Sequence, residues 1–235
     1  MVCGPGRLTK VGPQLGWTTV YVIEYLGPLL IVPLMYFLRP YIWSNAPPPS
    51  IGQTLSCVLL TLHFLKREFE TLYIHRFSNA TMPFRNVFKN SAHYWLLGGA
   101  NIAFWTFRPG SPTERLADWA SDLGIMSVAL MLFILGELGN LQTHMILRDL
   151  RPAGTGQRGI PKGIGFDLVT CPNYTFETVA WVGIWIMTYN LSPLPFIVPA
   201  VGQMALWAKK KEMKYRNDFG DKYEKKRFVI IPGIY

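Results

Sequence analysis

Three polar side chains recur at every fourth position in an otherwise apolar stretch of the sequence. They are Asn140, His144 and Arg148 in GELGNLQTHMILRDLR. Residues four apart in an α-helix lie on the same face, so the spacing predicts a polar stripe along one side of a helix. An amide, an imidazole and a guanidinium in a row could hold an elongated polar ligand, with the arginine contacting phosphate. The spacing is equally compatible with a polar seam that a neighbouring helix satisfies.

A second set of candidates combines a carboxylate with phenols. Glu24 lies within the apolar TTVYVIEYLGPLLIV, where an ionisable group is costly and indicates a functional site, although a pairing with an Arg or Tyr of another helix is the alternative. Tyr215 and Tyr223 lie in the basic C-terminal segment, and a phenol can donate a proton or a hydrogen bond to a developing oxyanion. We expect the terminal FVIIPGIY to dock onto the helices and hold these tyrosines in place.

The segment RGIPKGIGFDLVTCPNYTFE, residues 158–177, has no helical hydrophobic period. Its glycines permit a close approach of backbone to a ligand, and its last residues place Asn173 and Glu177 one helical turn apart. We interpret the segment as the wall of a nucleotide site that faces the polar stripe, with an ordinary connector as the alternative. His63 is expected to be a packed histidine, and the spacing of the histidines predicts no metal site.

The elements that must position these residues are apolar helices. Of the 235 residues, 50% are hydrophobic and 16% are charged, against roughly 25% charged in soluble domains. Six apolar segments, about 17–38, 51–65, 91–107, 123–146, 176–191 and 193–208, predict an all-α fold, a polytopic membrane bundle of about six transmembrane helices.

The distribution of basic residues predicts the orientation of this bundle. Alternate segments between the predicted spans hold 20 of the 23 Lys and Arg residues, and such residues concentrate on the cytosolic side. Both termini are therefore predicted to be cytosolic. The same rule accounts for the net charge of +9, so no nucleic-acid partner is predicted. Because the sequence has no dinucleotide-binding G-x-G-x-x-G after a strand and no Walker A motif, any nucleotide would bind on helices and loops.

Several long motifs carry a family resemblance. The first motifs are PKGIGFDLVTCPNYTFETVAW, the preceding NLQTHMILRDLRP and the basic tail ending in IIPGIY. Together they resemble the C-terminal domain of the steroid 5α-reductase superfamily. Three further stretches resemble one branch of this superfamily, the trans-2-enoyl-CoA reductases, which act in very-long-chain fatty acid elongation. They are GWTTVYVIEYLGPLL, HFLKREFETLYIHRFSNATMPFRNVFKNSAHYW and DKYEKKRFVIIPGIY. The resemblance runs from about residue 12 to residue 235. That branch usually carries a ubiquitin-like domain before its first span, whereas only a short stretch precedes the resemblance here. Residues 1–11 are therefore expected to be a short segment without that domain, followed by a membrane-embedded catalytic domain, 12–235.

The resemblance implies NADPH-dependent reduction of long-chain and very-long-chain trans-2-enoyl-CoA, with hydride added to C3 and a proton to C2. It also implies an endoplasmic reticulum membrane location and partners in a fatty acid elongation complex. Steroid reductases have an aspartate at the position of His144, which is a departure from the pattern. The residues implied are Asn140, His144, Arg148, Arg151, Asn173 and Glu177 for the cofactor, and Tyr215 (acid) and Glu24 (orienting) for catalysis.

Three alternatives remain open at the level of sequence. One is another reductase of the superfamily, acting on a steroid enone or a polyprenol. A second is a methyltransferase of the isoprenylcysteine type, which shares this C-terminal architecture and uses S-adenosylmethionine. The third is a non-enzymatic subunit of the elongation complex with a degenerate site.

Overall fold

The computed structural model describes residues 12–44, 46–77, 81–117, 119–150, 159–224 and 228–233. Within these ranges the chain is mainly helical, and two of its helical segments are π-helix. The helices are α1 Trp17–Phe37, α2 Arg39–Ile42, α3 Ile51–Phe69, π-helix Glu70–Ile74, α4 Arg85–Ala92, π-helix His93–Asn101, α5 Ile102–Phe107, 3₁₀ Pro112–Arg115, α6 Trp119–Asp149, α7 Pro172–Thr188, α8 Leu194–Phe219 and 3₁₀ Gly220–Lys222.

Local chemistry explains where the site-bearing helices begin and end. A capping box starts α3, because the Ser50 hydroxyl accepts from the Gln53 backbone and the Gln53 side chain accepts from the Ser50 backbone. Pro172 opens α7 at a position where a missing N–H is no loss. α7 ends at Tyr189, which adopts a left-handed conformation with φ of 52°. The chain then turns at once into α8, which begins at Leu194.

Two helices of the described chain are long and apolar enough to cross a membrane: Trp17–Phe37 and Asp122–Asp149. Other predicted segments do not meet the same requirements of length and apolar composition. α3 carries basic residues in its last turn, α7 has 17 residues, and the second half of α8 is rich in lysine. The structure therefore gives a helical bundle with two candidate spans, and the count of six stays a prediction.

A two-stranded sheet departs from the predicted all-α fold. β1 (Gln14–Gly16) pairs antiparallel with β2 (Thr81–Pro83), with Leu15 opposite Met82. Met82 is buried against Val20 and Val87. The sheet thus fastens the start of α1 to the segment that leads into α4, two elements that are distant in sequence.

Glycines bring α6 and α7 into close contact. A Cβ on Gly136 would lie 2.3 Å from the backbone nitrogen of Ala180, and one on Gly139 would lie 2.4 Å from the Phe176 ring. Small residues at a helix interface let two backbones approach this closely. As a consequence, Asn140, which follows Gly139 on α6, faces the first turn of α7.

The end of the chain docks onto the helices, as predicted. The backbone nitrogens of Thr170 and Cys171 donate to the carbonyls of Phe228 and Val229. The Thr175 hydroxyl donates to the carbonyl of Ile230, whose side chain is buried with Cys171 and Ala208. The tail therefore closes over the segment that precedes α7.

Candidate functional site

A cluster of buried polar and charged side chains forms where the C-terminal end of α3, the middle of α6 and the first turns of α7 meet. Asn140, in the predicted stripe, lies inside it. Its amide oxygen accepts from Lys66 Nζ at 2.5 Å, and its amide nitrogen donates to the backbone oxygen of Asn173 at 2.9 Å. Sequence reasoning predicted the two asparagines as one site, and the structure brings them into contact.

Asn173 itself retains an unused acceptor. Its side-chain Oδ1 is buried and has no hydrogen-bond partner among the described residues. Buried polar atoms are normally satisfied, and an orphan of this kind requires an explanation. A ligand that brings an N–H or O–H group would supply the missing partner.

His144 is not free along the stripe, because it contacts Glu70, the first residue of the π-helix that follows α3. Its Nδ1 lies 3.0 Å from Glu70 Oε1. Glu70 is fully buried and also pairs with Arg67 at 2.7 Å and Lys66 at 3.3 Å. The inner half of the stripe is therefore satisfied by a neighbouring helix, which is the second of the two arrangements compatible with its spacing.

Arg148 lies at the outer end of the stripe and is partly exposed. Its Nε donates to Asp149 Oδ1 at 2.8 Å, and its backbone oxygen accepts from Arg76 at 3.3 Å. Its guanidinium is thus near the surface, and the Arg76 side chain lies against its backbone. Arg151, the other predicted phosphate-binding residue, lies outside the described residues.

Glu177 extends the cluster from α7. Its Oε1 lies 3.5 Å from His63 Nε2, and its Oε2 lies 3.9 Å from Arg67 Nη1. His63 Nδ1 in turn lies 2.6 Å from Glu137 Oε1. His63 is therefore a buried, hydrogen-bonded histidine between two carboxylates, which agrees with its interpretation as a packed residue.

The two predicted catalytic residues occupy different surroundings. Glu24 is 2% exposed and accepts from Asn90 Nδ2 at 2.8 Å. Tyr215 is buried against Phe219 and Tyr223, and Lys211 Nζ lies 5.7 Å from its ring centroid. Among the described residues no hydrogen bond joins Tyr215 to another group, and the structure does not pair it with Glu24.

A buried carboxylate on α8 connects the tail to the segment before α7. Glu212 accepts from Thr170 at 2.6 Å, from Tyr223 at 2.5 Å and from Arg216 at 2.8 Å. Burial raises the pKa of the Glu212 carboxyl, but these three hydrogen bonds outweigh it and lower that pKa overall. Burial, and then the bond to Glu212, raise the pKa of the Tyr223 hydroxyl. At neutral pH the Glu212 carboxyl is therefore charged and the Tyr223 hydroxyl is protonated, as the hydrogen bond between them requires.

In the part of the chain that the structure describes, one set of side chains has the spacing of a metal site. The ligand atoms of Glu70, His75 and His144 lie within 4.8 Å of one another. Lys66 and Arg67 already bind the Glu70 carboxylate, so a cation placed there would face two positive charges. The electrostatics favour an anionic or polar ligand over a metal ion.

Several members of the cluster were not among the predicted site residues. They come mostly from LHFLKREFE, where charges at spacings of three and four share a face with a histidine, and this spacing is the sequence signal that could have indicated them. A local pattern cannot reveal which distant carboxylates these cations contact. The additional members are His63, Lys66, Arg67, Glu70 and Glu137 in the cluster and Glu212 beneath the tail.

Comparison with known proteins decides the family. The model of the family described as 3-oxo-5-alpha-steroid 4-dehydrogenase matches residues 80–235. The chain belongs to the 3-oxo-5-alpha-steroid 4-dehydrogenase family. The predicted stripe, Asn173, Glu177 and Tyr215 all lie within the matched part, whereas Glu24 and Arg67 precede it.

Individual members of the family match over nearly the whole chain. The very-long-chain enoyl-CoA reductase of Dictyostelium discoideum is 40% identical over 227 residues, which are 95% of this chain and 72% of that protein. A Caenorhabditis elegans protein named probable very-long-chain enoyl-CoA reductase is 37% identical, over 95% of this chain and 73% of its own. A mouse protein named trans-2,3-enoyl-CoA reductase-like is 32% identical, over 96% and 63%. The resemblance to the enoyl-CoA reductase branch is confirmed.

Proposed function

We propose that this chain is a membrane-bound reductase that converts trans-2-enoyl-CoA to saturated acyl-CoA with NADPH as the hydride donor. The observation that carries the proposal is the 40% identity, over 95% of the chain, to a protein named very-long-chain enoyl-CoA reductase. The polar cluster supports it from the structure, because Asn140, Asn173 and Glu177 converge there from α6 and α7.

The cluster has the chemistry that a nicotinamide nucleotide needs. The unpartnered Oδ1 of Asn173 could accept from an amide N–H of the ligand. Arg148 lies at the outer, partly exposed end of the stripe, and with Arg151 it would serve the phosphates. His144, held by Glu70, would contact the ligand from the same face as Asn140. The preference for NADPH over NADH is part of the proposal.

The chain's own residues then have distinct roles in the reaction. Bound NADPH supplies the hydride for C3 of the substrate. Tyr215 is proposed as the acid that delivers a proton to C2, since a phenol remains protonated at neutral pH. Glu24 would orient the substrate head, and burial within α1 would keep water away from it. The basic segments 66–89 and 209–227 would hold the CoA phosphates, and the acyl chain would lie between the helices.

The two candidate spans and the family match indicate a membrane protein. We further propose six spans with both termini in the cytosol, in the endoplasmic reticulum membrane, and association with other enzymes of fatty acid elongation. This arrangement places the basic segments on the side where CoA esters and NADPH are dissolved, while the apolar helices accommodate the acyl chain.

The direct test is an assay of the purified protein in detergent with NADPH and trans-2-hexadecenoyl-CoA. We expect loss of NADPH absorbance and formation of hexadecanoyl-CoA in equal amounts, detected by mass spectrometry. A steroid enone and a polyprenol serve as rival substrates. If folded protein consumes NADPH with a rival substrate and not with the enoyl-CoA, the proposal is wrong.

An Asn173→Leu variant ties the activity to the cluster. Because Asn173 Oδ1 has no partner among the described residues, the similarly sized leucine breaks no side-chain hydrogen bond that holds the fold together. We expect the KM for NADPH to rise about tenfold, the effect of losing about one hydrogen bond in a buried site. An unchanged KM in a variant with wild-type thermal stability would remove Asn173 from the site.

A further inference from the structure

Tyr25 is a buried phenol in direct contact with a buried cation. Its hydroxyl accepts a hydrogen bond from Arg67 Nη2 at 2.9 Å, and its side chain is 2% exposed. Arg67 is fixed in turn by Glu70, whose Oε2 lies 2.7 Å from Nη1. The contact joins α1 to the end of α3 and holds the phenol oxygen at a defined position.

The hydrogen bond from Arg67 leaves the phenolic proton unused. A tyrosine hydroxyl can accept and also donate one hydrogen bond. In the described ranges, no group accepts a hydrogen bond from Tyr25, whereas the Tyr223 hydroxyl donates its hydrogen bond to Glu212. A donor next to a guanidinium is also a stronger donor, since hydrogen bonds in a chain polarise one another.

This phenol lies beside the residues proposed to hold the cofactor. Arg67, which binds Tyr25, approaches Glu177 with an Nη1–Oε2 distance of 3.9 Å. Tyr25 also follows Glu24 directly in α1. A donor at this place is joined through Arg67 to Glu177, one of the proposed cofactor residues, and shares a helical turn with the carboxylate proposed to orient the substrate.

We propose that Tyr25 is the hydrogen-bond donor to the thioester oxygen of the substrate and that Arg67 is the residue that positions it. The inference rests on the proposed enoyl-CoA reduction and adds a residue to that site. Tyr215 does not fill this role in the described structure, because its neighbours are aromatic rings and no cation bonds to its oxygen.

The electron flow defines what the donor must do. When a hydride adds to C3, the electron pair of the C2–C3 double bond moves to C1–C2, and the carbonyl pair moves onto the thioester oxygen. Tyr25 stabilises that negative charge through its hydrogen bond and keeps its proton. When C2 takes a proton from the acid, the carbonyl re-forms and the hydrogen bond weakens. Donors of this kind act on charge that develops in the transition state.

The test compares two phenol-to-phenylalanine variants on the same helix. Tyr25→Phe removes the hydroxyl and keeps the ring that packs on Tyr21 and Tyr94. Tyr21→Phe is the matched control, because Tyr21 lies one turn earlier, stacks on Tyr25 and makes no hydrogen bond among the described residues. We expect kcat for trans-2-hexadecenoyl-CoA to fall about 100- to 1,000-fold in Tyr25→Phe and to change less than about threefold in Tyr21→Phe.

Two further readouts separate a lost donor from a packing defect. With NADPH deuterated at the transferred position, the isotope effect on kcat should increase in Tyr25→Phe, because hydride transfer becomes slower relative to product release. The affinity for the product, hexadecanoyl-CoA, should change less than about threefold, since the hydrogen bond from Tyr25 to the thioester oxygen strengthens only in the transition state.

The outcomes distinguish this inference from the function on which it rests. If wild-type protein does not reduce the enoyl-CoA, the proposed function fails and the inference fails with it. If wild-type protein is active and Tyr25→Phe retains its kcat and isotope effect, only the inference is overturned. A loss of kcat that matches a loss of folded, NADPH-binding protein also overturns it, because the enzyme that remains folded would then turn over at the wild-type rate.

Discussion

Glu212 illustrates at the residue scale how a buried charge can hold separate segments together. Its carboxylate accepts from Thr170 before α7, from Tyr223 in the tail and from Arg216 on its own helix. A carboxylate with three donors prefers the charged form, which is why its pKa is lowered despite burial. The segment that leads to Asn173 is thereby tied to the tail.

The stability that Glu212 provides should depend on pH. A carboxyl whose pKa is lower in the folded protein contributes its stability fully above its unfolded pKa of about 4.3. That contribution is lost as the pH falls through the lower, folded pKa. Glu212→Gln should therefore destabilise the protein by about 1–3 kcal/mol at pH about 7, and the difference from wild type should shrink below pH about 4.

Thermal unfolding in detergent across this pH range measures the effect. Glu224→Gln is the matched control, since it removes the same charge from an exposed carboxylate with no bonding partner among the described residues. A Glu212→Gln variant whose melting temperature differs from wild type by the same amount at pH about 4 and pH about 7 would contradict the charge-based account.

At the scale of elements, the polar cluster depends on how closely α6 and α7 approach. Glu137 and Asn140 each follow a glycine of α6 that has no room for a side chain. The helix spacing therefore sets the contact of Asn140 with Asn173, while Glu137 lies against His63 of α3. A wider spacing would separate the groups that the proposed cofactor needs.

Gly136→Ala should be destabilising although alanine favours helices. Its Cβ would lie 2.3 Å from the Ala180 backbone nitrogen, so the helices must separate, at a cost of about 1–3 kcal/mol. Gly124→Ala is the control on the same helix, because nothing lies within 4 Å of its added Cβ. Thermal unfolding and NADPH titration should show losses for Gly136→Ala alone. Equal stability of the two variants would mean that the close approach is not needed.

At the scale of the whole molecule, charge should decide the orientation in the membrane. The C-terminal half of α8 and the tail hold nine of the 23 basic residues, and we predict that they lie on the same side of the membrane as the proposed cofactor stripe. The start of α3, near Pro49, is the other end of the helix that carries Lys66 and Arg67. These two ends should lie on opposite faces of the bilayer.

Cysteine labelling tests this orientation. In a Cys3→Ser background, in which Cys57 and Cys171 are buried, an impermeant maleimide added to sealed microsomes should label Lys210→Cys. It should label Pro49→Cys only after detergent opens the vesicles, because both positions are exposed on the protein and differ only in the side they face. The reverse pattern would refute the predicted topology.

The sequence by itself determined the features that depend on local periodicity and composition. The four-residue spacing of Asn140, His144 and Arg148 predicted one helix face, because side-chain direction in a helix follows directly from residue number. Apolar length predicted the helices, and the motif around Asn173 indicated the family. The two-stranded sheet was missed, since three-residue strands leave no recognisable pattern.

Only the tertiary structure decided which groups meet across the bundle. Lys66 contacts Asn140 and Glu137, and Arg67 contacts Tyr25 and Glu177, all pairs far apart in sequence. The sequence does not indicate that Tyr25 and Arg67 meet, because no local pattern specifies that α1 crosses the end of α3 at this point. Glycine-mediated packing and the satisfaction of buried charges fix those crossings, and both are properties of the assembled helices.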